Sequence, residues 1–172
     1  MLIATSGFAT TGKTEAAKGL YPKFELYAFA DELKIELAAT LGVTLEELAA
    51  NKEKYRDDMV ALGASRRAED ADYWVKLIAP KVEADLAAGR DVVVHDLRYV
   101  NEAQWIHRLG GHVVMIQRPD VGPANAEEAR SINEIMIHKS FNSIVRNNGT
   151  IEQLHKKINA LVQMYRMAEE EQ

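Results

Sequence analysis

The chain has 172 residues, of which 47% are hydrophobic, enough for one well-packed domain and too few for two comfortable ones. Its formal net charge of −5 argues against a general nucleic-acid-binding protein, although a few arginines in one cleft can still bind a small phosphorylated ligand. The absence of cysteine excludes disulfides and thiolate metal sites, and it agrees with a reducing compartment.

The N-terminal segment contains a phosphate-binding loop pattern. An apolar run at 1–5 precedes the sequence GFATTGKT at 7–14, which fits G-x-x-x-x-G-K-[ST] at every fixed position, and a helix-forming run follows at 15–20. Such a loop turns successive backbone N–H groups inward, so it can bind a polyphosphate. Lys13 is expected to reach the β- and γ-phosphates, and the Thr14 hydroxyl to bind Mg²⁺. The loop residues expected to bind the nucleotide are Gly7, Ala9, Thr10, Thr11, Gly12, Lys13 and Thr14.

A second strand is predicted at 23–30, where apolar and polar residues alternate, and a helix is predicted to begin at Asp31. Ligands of open α/β sheets bind beyond the carboxyl ends of the strands, so Asp31 and Lys34 could face the same cleft as the loop. A helix cap at Asp31 with an exposed Lys34 explains the spacing equally well.

The segment up to residue 88 is predicted to be a mobile helical insertion. Arg56 and Arg67 could meet an acceptor phosphate there, or they could be solvated surface residues. The sequence Asp72-Tyr73-Trp74 opens a helix that Pro80 should kink or split. Within this helix Trp74 has the spacing of a core residue, and a platform for a ligand is the alternative.

A continuous apolar strand at 91–96 ends in Asp96. Phosphate-loop enzymes place the acid that organises magnesium at the carboxyl tip of such a strand, so Asp96 is the expected partner of Thr14. Arg98 follows on the loop that should overlook the nucleotide phosphates.

The rest of the chain predicts a lid between two further strands. A helix at 101–109 and a strand at 112–117 precede a break at 118–123, and a helix follows at about 125–139. Arg118 and Arg130 could enter the site when this segment closes, although Arg130 could instead form an i,i+4 ion pair with Glu134. The last strand and a closing helix with a Thr150–Gln153 capping box complete the chain.

Several ordered stretches together resemble the deoxynucleoside monophosphate kinases of tailed bacteriophages, a branch of the phosphate-loop (P-loop) nucleotide kinases. The resemblance covers nearly the whole chain. Its most discriminating parts are F-A-D-x-L-K and D-x-R-x-x-N-E-A, because many NTPases share the phosphate loop. The stretches are the loop at 7–14, FADELK at 29–34, DYW at 72–74, VVVHDLRYVNEA at 92–103, GG at 110–111 and RP at 118–119.

The resemblance implies an α/β fold of three layers. A mostly parallel five-stranded sheet with strand order 2-3-1-4-5 would be flanked by helices in a single domain over residues 1–172. A nucleoside-monophosphate-binding insertion would occupy about 31–88, and a lid about 118–139. The implied reaction transfers the γ-phosphoryl group of ATP to a deoxynucleoside 5′-monophosphate (dNMP), giving the diphosphate and ADP.

The resemblance also implies roles for individual residues. Lys13 and Thr14 would bind the donor phosphates and magnesium, Asp96 would organise the metal, and Arg98 would clamp phosphate. Arg118 and Arg130 would act from the lid. Asn148, after the last strand, would help to bind the nucleotide. The acceptor side would comprise Asp31, Lys34, Arg56, Arg67, Trp74, Asp96 and Arg98.

The expected cofactors are therefore ATP and Mg²⁺, and the expected partners are the small molecules dNMP and ATP, with neither nucleic acid nor membrane. Whether the protein forms a homodimer is left open. A first strand at the N-terminus leaves no room for a signal peptide, so a cytoplasmic protein is expected, in the infected host cell if a phage encodes it. Two alternatives remain: a P-loop kinase for another small phosphorylated acceptor, and a non-catalytic nucleotide-binding module.

Overall fold

The protein is described by a computed structural model that covers residues 1–171. Its centre is a five-stranded sheet in which all neighbouring strands are parallel and the order is β2-β3-β1-β4-β5. This confirms the fold and the strand order expected from the sequence. The strands are β1 Leu2–Ser6, β2 Phe24–Tyr27, β3 Asp91–Leu97, β4 His112–Gln117 and β5 Ser143–Arg146.

Four helices lie between β2 and β3, in the segment predicted as the insertion, and one long helix lies between β4 and β5, in the segment predicted as the lid. Among residues 1–171, none of the helices is long and apolar enough to cross a membrane. The helices are α1 Lys13–Lys18, α2 Phe29–Leu41, α3 Leu45–Ala50, α4 Arg56–Glu69, α5 Tyr73–Ala87, α6 Val100–Arg108, α7 Ala126–Ile137 and α8 Ile151–Glu170.

Alternate residues of the central strands enter two separate hydrophobic cores, one on each face of the sheet. On one face Val92 and Val94 of β3 pack with residues of α5, α6 and α7. On the other face Val93, the residue between them, packs with residues of α1 and α8. Because side chains of a strand alternate between its faces, a continuous apolar run such as β3 supplies both cores and gives three layers.

Two helices differ from their predicted form. Helix α2 begins at Phe29, before the predicted Asp31, because the carboxylate of Asp96 accepts the first N–H groups of the helix. Helix α5 runs through Pro80 without a break. Ile78 and Val82, one turn apart around the proline, are both fully buried, so packing holds the two halves on one axis.

The parallel sheet brings the carboxyl ends of all five strands to one edge. The phosphate loop follows β1, the first turn of α2 follows β2, and Arg98 follows β3. Arg118 follows β4 and Asn147 follows β5. Chemistry-bearing residues from distant parts of the sequence therefore meet at this edge.

Gly111, just before β4, allows a close approach between the sheet and α6. A Cβ atom there would lie 2.8 Å from Leu2 Cγ and 2.9 Å from Ile106 Cγ2, and both side chains are buried. We expect Gly111→Ala to lower the free energy of unfolding by about 1–3 kcal/mol, because the core must shift to admit a methyl group. Urea denaturation measures this change. Gly122→Ala is the control, since no heavy atom lies within 4 Å of its added Cβ. Equal stability of the two variants would contradict this account of the packing.

Candidate active site

The phosphate loop has the backbone conformation that its glycines make accessible. Gly7 and Gly12 have φ values of 134° and 103°, which side chains rarely adopt. A Cβ atom on Gly7 would also clash with the carbonyl oxygen of Ile116 in β4. The buried Thr11 donates its hydroxyl hydrogen to the Phe8 carbonyl at 2.8 Å, which closes the turn. The two fixed glycines of the motif are therefore explained by backbone geometry.

Lys13 lies inside this loop with its ammonium group largely removed from water. Its Nζ donates hydrogen bonds to the carbonyl oxygens of Gly7 at 2.9 Å and Phe8 at 2.7 Å. Burial, together with the nearby Arg98 guanidinium, lowers the pKa of Lys13 to about 8, although the carboxylates of Glu128 and Asp96 oppose this shift. The amine would therefore gain stabilisation from an anion placed in the loop.

Asp96 holds the start of α2 beside the loop. Its two carboxylate oxygens accept the backbone N–H groups of Phe29 and Ala30, each at 2.9 Å. Burial raises the pKa of Asp96, and these two N–H groups act in the opposite direction. Among residues 1–171 no hydrogen bond joins Asp96 to Thr14. The exposed Thr14 hydroxyl instead lies 3.4 Å from His95 Nδ1.

The chemistry of these residues fits magnesium held mainly by the substrate. Mg²⁺ in kinases is bound by one or two protein oxygens, and phosphate and water oxygens complete the shell. The exposed Thr14 hydroxyl, at the end of the phosphate loop, is such an oxygen. Within residues 1–171 no cluster of three or more His, Asp or Glu side chains could hold a metal.

A carboxylate from α7 enters the loop from the other side. The Ala9 N–H donates to Glu128 Oε1 at 2.9 Å, and the Ala124 N–H donates to Glu128 Oε2 at 2.7 Å. Arg98 Nη1 lies 3.5 Å from the same Oε1 atom. Only 1% of the Glu128 side chain is exposed, against 44% for Arg98. Glu128 thus connects the phosphate loop, the arginine after β3 and helix α7.

A cavity of about 270 Å³ lies next to these groups and separates the insertion from α7. Arg67 and Arg98 are the two basic residues that line it. Arg67 lies over the Tyr99 ring at 4.5 Å and 3.7 Å from Glu127 Oε1, and the Tyr99 hydroxyl donates to that same oxygen at 2.6 Å. Burial and the Glu127 hydrogen bond both raise the pKa of Tyr99. The apolar wall of the cavity is formed by Phe29, Leu33, Met59, Val60 and Trp74.

Trp74 is a core residue and a wall of this cavity at once. It is 3% exposed, and its Nε1 donates to the Gly63 carbonyl at 3.4 Å. Its ring packs edge-on against Tyr73 at 4.9 Å. The two interpretations of its helical spacing are therefore compatible, because one side of the ring supports the fold while another borders the cavity.

Three predicted acceptor residues lie away from the cavity. Asp31 and Lys34 form an ion pair with each other at 2.7 Å on the exposed side of α2. Arg56 is exposed and lies 3.7 Å from Glu53. The residues of α2 that line the cavity are Phe29, Ala30 and Leu33, and the Asp96 carboxylate holds the first two by their N–H groups.

Two further cavities, of about 470 and 330 Å³, are lined by residues of the phosphate loop, and Arg118 lines both. The smaller one is also lined by Asn147, whose Nδ2 donates to the Thr11 carbonyl at 2.9 Å. Asn148, the residue predicted for this role, is exposed and accepts a hydrogen bond from Lys157 at 2.8 Å. The last strand, which the sequence predicts at 141–145, ends at Arg146, so Asn147 is the residue that turns toward the loop.

Arg130 lies on the exposed side of α7 and does not line any of these three cavities. Within residues 1–171 it also makes no ion pair with Glu134. Glu127 and Glu128, in the first turn of α7, line the cavity of about 270 Å³ instead.

Solved structures of known kinases share this fold. Dephospho-CoA kinase from Campylobacter jejuni aligns with a TM-score of 0.60 at 14% identity over 98% of each chain. Shikimate kinase from Aquifex aeolicus aligns with a TM-score of 0.53 at 14% identity over 95% of this chain and 96% of the other. In sequence, the chain is 39% identical over 67 residues to a protein of Acanthamoeba polyphaga mimivirus provisionally named deoxynucleotide monophosphate kinase. That match spans 39% of this chain and 34% of the relative.

The family model for phosphomevalonate kinase matches residues 11–112, which is more than half of the chain. The chain belongs to the phosphomevalonate kinase family. With this family and this fold, it is a kinase of the P-loop type.

In this member of the phosphomevalonate kinase family the D-x-R-x-x-N-E-A stretch has a structural explanation. Asn101 Nδ2 donates to the Ala71 carbonyl at 2.8 Å and to Asp72 Oδ1 at 2.9 Å, which fixes the start of α5. Glu102 is buried, and its Oε2 accepts the N–H groups of Arg98 at 2.7 Å and Tyr99 at 3.0 Å. The stretch therefore sets the course of the backbone that carries Arg98.

Sequence reasoning gave no role to five residues that line these cavities. The position of Glu127 and Glu128, in the first turn of a predicted helix beside the lid, was a usable signal. The others became evident only from the geometry. The five residues are Tyr99, Glu102, Glu127, Glu128 and Asn147.

Glu102 should make the stability of this phosphomevalonate kinase family member depend on pH. Burial raises its pKa from 4.5 to about 8, with a smaller contribution from the Asp96 carboxylate. Between these two values the folded state binds more protons than the unfolded state, so the contribution of Glu102 to stability falls as pH rises. As pH rises from 5 to 9, we expect the free energy of unfolding of Glu102→Gln to increase by on the order of 2–4 kcal/mol relative to that of wild type.

Urea denaturation at several pH values measures this difference. Glu83→Gln, at an exposed position on α5, is the control and should show no such trend. A stability difference between Glu102→Gln and wild type that stays constant with pH would contradict the assignment.

Proposed function

We propose that the protein transfers the γ-phosphoryl group of ATP to the 5′-phosphate of a deoxynucleoside monophosphate. The observation that carries the proposal is the junction of two sites at one edge of the sheet. The phosphate loop lies on one side, and a cavity lined by two arginines and several apolar side chains lies on the other. The viral relative with a deoxynucleotide monophosphate kinase name supports the choice of acceptor.

On the donor side, the loop N–H groups and Lys13 would bind the β- and γ-phosphates of ATP. Burial disfavours the charged form of Lys13, and a bound anion would stabilise that form. The Lys13 ammonium is therefore suited to stabilise negative charge that develops on the phosphates in the transition state. Thr14 would bind Mg²⁺, and Asp96 would act on it through water. Bound there, Mg²⁺ would neutralise charge on the donor phosphates. Arg118 and Asn147 border the space where the nucleoside of ATP would lie.

On the acceptor side, Arg67 and Arg98 would bind the acceptor phosphate, since a guanidinium group can bind two phosphate oxygens at once. Phe29, Leu33 and Trp74 would contact the flat base. The positions of Arg67 and Arg98 are already fixed by Tyr99 and by Glu127 and Glu128, so little conformational freedom is lost on binding.

The reaction would need positioning more than acid–base chemistry. An oxygen of the acceptor phosphate forms a bond to the γ-phosphorus as the bond from this phosphorus to the β-bridging oxygen breaks, and ADP leaves. The attacking oxygen is already ionised at neutral pH, so no general base is required. Lys13, Arg67 and Arg98 supply positive charge around the two polyanions and hold them in line.

Phosphomevalonate is the second candidate acceptor, because the family model favours it. It is a small phosphorylated acid whose carboxylate would meet Glu127 and Glu128 at the cavity wall. It has no ring to cover Phe29, Leu33 and Trp74. Phosphomevalonate would therefore be repelled by the two glutamates and would leave the apolar side chains of the cavity uncovered. A nucleotide base avoids both costs, because it covers apolar surface and its N–H groups can donate to carboxylates.

A panel of acceptors tests the proposal. With ATP and Mg²⁺, we expect ADP release that depends on at least one of the four dNMPs, and little or none with phosphomevalonate. Lys13→Ala should reduce this rate at least 100-fold with the fold retained, because transition-state charge is no longer compensated. Activity with phosphomevalonate alone would favour the second candidate. ATP binding without any acceptor-dependent ADP release would indicate a non-catalytic module.

Two adjacent arginines provide a matched test of the acceptor site. Arg67 borders the cavity, whereas Arg66 is paired with Glu36 at 2.7 Å and Glu69 at 3.3 Å outside it. We expect Arg67→Ala to raise the KM for the dNMP about 10- to 100-fold with a small effect on the KM for ATP, because one charged phosphate contact is lost. Steady-state kinetics measure both constants. If Arg66→Ala has the same effect as Arg67→Ala, the assignment is wrong.

A further inference from the structure

The carboxylate of Glu128 occupies part of the phosphate loop. Its Oε1 atom accepts the N–H of Ala9, a loop residue 119 positions earlier in the chain, at 2.9 Å. Its Oε2 atom accepts the N–H of Ala124, just before α7, at 2.7 Å. The side chain is 1% exposed, so the carboxylate is enclosed between the loop and α7.

The groups around this carboxylate are those that a phosphate oxygen would use. One is a backbone N–H of the loop, another is the Arg98 guanidinium at 3.5 Å, and the Lys13 ammonium lies near enough for Glu128 to raise its pKa. A carboxylate and a phosphate cannot share these groups, because two anions in one poorly solvated site repel each other strongly. One of the two must leave.

The neighbouring residue forms a parallel contact on the acceptor side. Glu127 accepts the Tyr99 hydroxyl hydrogen and lies 3.7 Å from Arg67. Two consecutive carboxylates in the first turn of α7 are thus paired with an N–H group and arginines that would bind phosphate. Glu128 is the one that is fully enclosed, and it contacts the loop itself.

We infer that Glu128 is an internal competitor of the donor phosphates, and that donor binding displaces it and releases the first turn of α7. This inference rests on the donor half of the proposed function. While Glu128 is in the loop, the apparent affinity for ATP is reduced by the fraction of molecules in which the loop is free. The same displacement connects donor binding to movement of the lid segment.

Removing the charge of Glu128 should therefore tighten ATP binding. A glutamine at this position keeps one acceptor oxygen but brings an NH₂ group toward an N–H donor, so one of the two hydrogen bonds is lost along with the charge. We expect the Kd of Glu128→Gln for ATP with Mg²⁺, without acceptor, to be about 5- to 20-fold lower than that of wild type. Glu134→Gln, an exposed change of the same charge on the same helix, should leave the Kd unchanged.

Isothermal titration calorimetry measures these constants, and hydrogen exchange of wild-type protein provides a second measurement that needs no variant. ATP should speed exchange of the Ala124 N–H, because its acceptor leaves. An equal or higher Kd for Glu128→Gln, with wild type still binding ATP, overturns the inference and leaves the kinase proposal standing. If Glu128→Gln does not fold, unchanged or slower exchange at Ala124 in wild type overturns it. If wild type and Glu128→Gln both fail to bind ATP, both proposals are wrong.

Discussion

The cleft depends on how backbone N–H groups are satisfied at the carboxyl edge of the parallel sheet. Where strands give way to loops and helices, several N–H groups have no partner in regular structure, and leaving them buried and unpaired is costly. Three carboxylates supply acceptors, each to two N–H groups. Asp96 accepts those of Phe29 and Ala30, Glu102 accepts those of Arg98 and Tyr99, and Glu128 accepts those of Ala9 and Ala124.

Glu128 and its neighbour Glu127 also determine where positive charge lies. Lys13 and Arg98 are drawn toward the same region by Glu128, and Arg67 is held over Tyr99 by Glu127. Under the proposed function these cations would be in place before a phosphate binds, and the phosphate would replace their internal ion pairs. A protein with a net charge of −5 can therefore still gather positively charged side chains at the carboxyl edge of its sheet.

The sequence was sufficient for the architecture because its signals are local or periodic. The glycine positions of the loop, the apolar run of β3 and the capping residue Thr150 each predict one element, and parallel strands then restrict the order. The cleft was less accessible to sequence reasoning. Spacing placed Asp31 and Lys34 one turn apart, but it could not show how α2 is oriented. Asp96, far away in sequence, holds the N–H groups of Phe29 and Ala30, and these two residues line the cavity.

Trp74 belongs to both the hydrophobic core and the cavity wall, and this limits which substitutions evolution can accept at this position. Its ring is held in the core by Gly63 and Tyr73 while it borders the cavity of about 270 Å³, so a substitution there would disturb folding and, under the proposed function, acceptor choice together. Leu33, Met59 and Val60 border the same cavity from partly or largely exposed positions, so substitutions there should cost less stability than one at the buried Trp74. Lineages that acquire new acceptors should therefore diverge on the α2 and α4 side and retain the tryptophan.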